Sequence, residues 1–85
     1  MLVKDLISRL EYPVDTIAIN YKDSSGFEHY APYDGLEGYP DKLSIPDNIM
    51  DSEVLSYWIS FQMHHIAPCE IELEYQLNIT LDNAI

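Results

Sequence analysis

Basic residues are scarce in this chain: four Lys and Arg stand against fifteen Asp and Glu, a formal net charge of −11. Such a field repels nucleic acid and anionic membrane, so direct binding to either is excluded as an expectation. Cysteine is reduced to Cys69, which rules out an internal disulfide and fits a reducing compartment. No stretch approaches the ~20 apolar residues of a membrane span, and the first residues lack a charged-then-apolar secretory pattern. The expected location is therefore cytoplasmic. Catalytic signatures are missing too. There is no G-x-S-x-G, Walker loop, C-x-x-C or H-E-x-x-H, and nothing marks one carboxylate pair as a perturbed acid/base pair. The expectation is a protein that is not an enzyme and holds no cofactor. Repeats and low-complexity tracts are absent as well.

What is present is an apolar, aromatic chain of one-domain size. Eighty-five residues, 47% hydrophobic and 12% aromatic, are too apolar for a disordered acidic tail and suffice for a modest core. Residues 1–22 balance three acids with Lys4, Arg9 and Lys22, whereas residues 23–85 set twelve acids against Lys42 alone. The whole excess of negative charge thus belongs to the later two-thirds.

Glu70 to Asp82 alternates polar and apolar for thirteen residues, which predicts a long half-buried strand. Ile71, Leu73, Tyr75, Leu77, Ile79 and Leu81 fall on one face, expected to lie on the core. Upstream, Leu2 to Leu10 has helical spacing and Pro13 ends it. Thr16 to Lys22 reads as a strand, Asp23-Ser24-Ser25-Gly26 as a turn, and Phe27 to Ala31 as the returning arm of a hairpin. A loop rich in Pro, Gly and Tyr follows over residues 32–46. Asp47 to His65 reads as the main helix, with Val54, Leu55, Trp58, Ile59, Phe61 and Met63 over a wide arc and Ser52, Ser56, Ser60 and His64 as a polar ridge at i, i+4. The expected fold is a single compact α+β domain over residues 1–85. Its two helices pack on one face of a three-stranded antiparallel sheet, in the order helix-strand-strand-helix-strand.

Three constellations carry candidate chemistry. Glu70, Glu72 and Glu74 share one strand face at spacings of about 6.7 Å, and like charges that close call for solvent, cations or a basic partner. A nucleic-acid backbone also presents regular negative charge, so such a row can occupy a phosphate-binding groove; the plainer reading is a solvated face that guards an exposed strand. The loop interleaves Tyr33 and Tyr39 with Asp34, Glu37 and Asp41, a composition suited to Arg-rich surfaces, with packing of Tyr33 on the sheet as the plainer alternative. His64, His65 and Cys69 supply too few ligands, in the wrong spacing, for a structural zinc site, so no metal is expected.

Leu2-Val-Lys-Asp-Leu-Ile-Ser-Arg-Leu10 looks like the first helix of many small phage-encoded proteins. With Asp51-Ser-Glu-Val-Leu55, the short length and the acidic sheet, the profile resembles the small acidic anti-CRISPR, DNA-mimic proteins of phages, particularly those acting on type II Cas effectors. The Pro/Tyr loop and the thirteen-residue strand depart from that pattern. The resemblance implies a non-enzymatic inhibitor, in the host cytoplasm, that blocks the Arg- and Lys-lined nucleic-acid surface of a Cas effector. Its contacts would be Glu70, Glu72, Glu74, Asp34, Glu37 and Asp41, with Tyr33 and Tyr39 as anchors, and the chain itself would be a monomer or homodimer. Two other readings meet the same residues. One is an immunity protein for a basic toxin nuclease, and the other is an oligomeric adaptor using Tyr57, Trp58, Ile59 and Phe61 on its helix.

Overall fold

The computed structural model describes residues 1–10, 14–35 and 45–83. Alternation is the local signal that dominates it. Thr16–Lys22 (β1) and Glu28–Asp34 (β2) form an antiparallel hairpin, Val54–Ala67 (β3) and Glu70–Leu81 (β4) form a second one, and β4 joins the two by pairing parallel to β1. The sheet is four-stranded, mixed, and ordered β2-β1-β4-β3. Helices are confined to Val3–Ser8 (α1) and Asp47–Met50 (α2).

This corrects the expected two helices on a three-stranded antiparallel sheet. The error lies in residues 47–65, where only Asp47–Met50 is helical and the chain from Val54 onward becomes the longest strand. An interval of four residues is common to both periodicities: i and i+4 share a helix face, and they share a strand face as well. The ridge Ser56, Ser60, His64 therefore could not discriminate between them. What does discriminate is the β-branched and aromatic content of Val54, Tyr57, Trp58, Ile59, Phe61 and Ile66, together with an alternation from Leu55 to Met63 that Trp58 alone interrupts.

The hairpin turn at residues 23–26 forms as its composition predicts. Asp23 Oδ1 accepts from the amides of Ser25 (2.9 Å) and Phe27 (3.0 Å), and Gly26 takes the left-handed conformation at φ 86°. Strand β2 extends beyond Ala31 through Pro32 and Tyr33 to Asp34, which a proline allows on an outer strand. Gly35 then passes so close to the chain that a Cβ there would meet the Val14 carbonyl.

The core lies on one face of the sheet, under α1 and α2. Val3, Leu6 and Ile7 of α1 and Ile49 of α2 close over Ile17 and Ile19 of β1 and Leu77, Ile79 and Leu81 of β4, with Val14 and Ile45 at the margin. The N-terminus is stitched to the start of β3 by Val54 N–H to the Met1 carbonyl (2.8 Å), Val3 N–H to the Ser52 carbonyl (3.0 Å), and ion pairs Met1–Glu53 and Lys4–Asp51, both 2.9 Å. The bond and charge of Asp51 push the Lys4 ammonium pKa above its ordinary value. The opposite face carries a polar seam. Asn78, the one buried polar side chain among the described residues, donates to Ser60 Oγ (3.0 Å) and accepts from Gln76 Nε2 (2.7 Å).

Candidate functional site

Strand β1 begins its pairing with β4 at Gln76, so no described strand other than β3 accompanies residues Glu70 to Glu74. The β3–β4 hairpin therefore leaves the sheet as a two-stranded ribbon, closed by a two-residue turn at Pro68 and Cys69. The molecule is accordingly elongated, with principal extents of 48 × 27 × 19 Å. A β-bulge at each end of β3, at Leu55 and Ile66, brackets ten residues of regular ladder from Ser56 to His65.

Alternation gives the ribbon two unlike faces. The first carries Phe61 opposite Tyr75, Met63 opposite Leu73, and His65 opposite Ile71. These side chains continue the core face of the sheet but lie beyond the helices. Ile71, Leu73 and Tyr75 are 56%, 43% and 42% exposed, against 0% for Leu77 and Ile79 farther along the same row. The expectation that the whole apolar row of β4 is buried thus holds for its second half only. The two helices are too short to roof the first half.

The second face carries the three predicted glutamates. Glu70 stands opposite Ala67, Glu72 opposite His64, and Glu74 opposite Gln62. Glu70 and Glu72 are exposed, while Glu74 is half-buried, its Oε2 2.9 Å from His64 Nε2. No Lys or Arg occurs after Lys42, and among the described residues His64 is the one side chain recorded in an ion-pair or hydrogen-bond contact with this row. At the foot of the ribbon, Asp15 accepts from the Tyr75 amide (2.7 Å), and its own amide donates to the Tyr75 carbonyl (2.9 Å). There β1 and β2 end and the ribbon rises, leaving an open cleft of about 510 Å³ lined by Asp15, Asp34, Glu72, Glu74 and His64.

Of the residues expected at a binding site, Glu70, Glu72, Glu74 and Asp34 thus come together around one cleft and one ribbon face. Tyr33 lines the same cleft while its ring packs against the core opposite Ile17, and burial raises its phenol pKa above the ordinary value. Glu37, Tyr39 and Asp41 lie outside the described residues. Asp15 and His64 join the acidic cleft although neither was expected there, because only the strand pairing brings residues so distant in sequence side by side. His64 and His65 point to opposite faces of β3, and Cys69 sits exposed in the turn. Among the described residues no group of three or more His, Cys, Asp or Glu is placed to hold a metal ion, and no helix is long and apolar enough to cross a membrane. Compared with protein-family models, curated proteins and solved structures, the chain finds no match in any of the three.

Proposed function

We propose that the protein is a non-enzymatic acidic inhibitor that seats its projecting ribbon in the basic, nucleic-acid-binding surface of a partner protein, such as a Cas effector. One observation carries this reading: Glu70, Glu72 and Glu74 form a row on a ribbon that stands clear of the sheet, with a single histidine beside it and further carboxylates at its foot. Alternate residues on a strand stand about 6.7 Å apart. The row therefore presents negative charge at short regular intervals, as a phosphate backbone does. Its width, two strands, is that of an element able to enter a major-groove-sized channel. Arg and Lys lining such a channel would meet carboxylates in place of phosphate, and long-range attraction would speed the encounter.

The test uses the purified chain and host lysate at low and high salt, with mass spectrometry of what is retained, alongside the triple variant Glu70→Gln, Glu72→Gln, Glu74→Gln. The expected result is a nucleic-acid enzyme held at low salt and released at high salt, with affinity reduced by tenfold or more in the triple variant. Because the row is self-repelling, the variant's unfolding stability should be unchanged or higher. An affinity indifferent to the three substitutions overturns the reading.

A further inference from the structure

The two outer strands of the sheet are unlike, and the unprotected one points to a second contact surface. Strand β2 is short, contains Pro32, and bears Glu28 and Asp34 at its ends, devices that keep an open edge from pairing. Strand β3 is twice as long, and from Val54 to Ala67 it has neither a proline nor a formally charged residue. In a chain of net charge −11 this is a neutral stripe, with a row of unpaired backbone donors and acceptors on its outer side.

We propose that the outer edge of β3 is a homodimer interface, on which a second copy adds its own β3 antiparallel about a two-fold axis and joins the two sheets into one. The occupant is argued from charge, register and closure. A second copy brings the same uncharged strand, so the contact places no carboxylate against another and keeps the acidic β4 rows one strand away from the seam. With Ser60 on the axis, Ile59 lies opposite the partner copy's Phe61, Tyr57 opposite its Met63, and Trp58 opposite its Gln62. Every aromatic or branched residue of the core face then meets an apolar neighbour, the pairing that stabilises sheets. Tyr57, Trp58, Ile59, Phe61 and Met63 are each at least half exposed in the single chain. Growth stops at two, because the remaining edges are both β2, with its proline and its acidic ends.

This inference uses different atoms from the functional reading above, and the two respond oppositely to salt. Screening weakens an acidic ribbon's hold on a basic partner, but it relieves the mutual repulsion of two acidic chains and so strengthens the dimer. Sedimentation of the intact chain at low and high salt is the test, together with Phe61→Lys and Met63→Lys, both on the ribbon outside the core. A mass of twice 9.8 kDa is expected, more fully formed at high salt, with the dissociation constant raised at least ~tenfold in each variant while the circular dichroism of the sheet stays unchanged. Hydrogen exchange gives a second readout free of substitutions: outward β3 amides between Ser56 and His65 should be protected at high protein concentration and exchange quickly on dilution. A 9.8 kDa mass at every concentration and salt, a dimer indifferent to both lysines, or an open ladder of higher masses overturns the proposal.

Discussion

The two halves of β4 repeat one pattern and meet different fates. In Glu70–Tyr75 and in Gln76–Leu81 alike, polar and apolar residues alternate without a fault. Yet Leu77, Ile79 and Leu81 are buried under α1 and α2, while Ile71, Leu73 and Tyr75 stand 42–56% exposed on the ribbon. Alternation fixes which residues share a face, because successive side chains leave a strand on opposite sides. It does not say whether anything covers that face. Cover depends on the length of the helices above and on where the neighbouring strand begins, and here β1 starts only at the level of Gln76.

Substitutions along the row turn this contrast into numbers. Ile79→Ala should show the largest effect, a loss of about 2–5 kcal/mol in urea unfolding, because Ile79 has no exposure and its neighbours cannot close the cavity. Asn78→Ala, one residue away on the other face, should cost about 1–2 kcal/mol by leaving Gln76 and Ser60 without their partner at the seam. Leu73→Ala, six residues before Ile79 on the same face, should cost less than ~1 kcal/mol at protein concentrations where the chain is monomeric, since most of its contact surface is already in water. If Leu73→Ala matched Ile79→Ala, the ribbon's apolar face would have a cover, and the division of β4 into two halves would fail.

The same division marks how far the sequence can be read. Strands 16–22 and 70–82, the first helix and the Asp23 turn were legible, because each has a period or a turn chemistry that only one local structure satisfies. The stretch 51–65 was not. Its serines recur at an interval that helix and strand share, and Trp58 fills the one position where a polar residue would have completed the strand's alternation. Read as helix, that stretch is withheld from the sheet, β4 is left to pair with the first hairpin alone, and the ribbon cannot be foreseen. The carboxylate row was legible as a row, since it needs only β4. That it shares a cleft with Asp15 and Asp34 depends on a parallel pairing between strands sixty residues apart, and no local pattern encodes that.

The smallest effect expected lies at the far end of the sheet from the ribbon, and it sharpens the contrast by showing what a locked end looks like. His29 Nε2 sits 2.9 Å from Asp23 Oδ2, and this bond is the main reason that the Asp23 carboxyl pKa falls below 3.8, with the amides of Phe27 and Ser25 adding to it. A carboxyl whose folded pKa lies below its unfolded one contributes stability that is present above about pH 4. That stability is lost as pH falls through the folded value. Carboxyl titration by NMR should therefore give Asp23 a midpoint below 3.8, and His29→Ala should move it upward. At a fixed pH, His29→Ala should leave the amide shifts of Glu70–Glu74 in place, because Asp23 fixes the register of β1 on β2 and so reaches β4 only from Gln76 onward. The ribbon is tied to the body chiefly through Asp15 and Tyr75, and its geometry answers to that contact and to β3. An Asp23 midpoint at or above 3.8 would remove the lock at that end, and ribbon amides that shift in His29→Ala would mean that the two ends of the sheet behave as one unit.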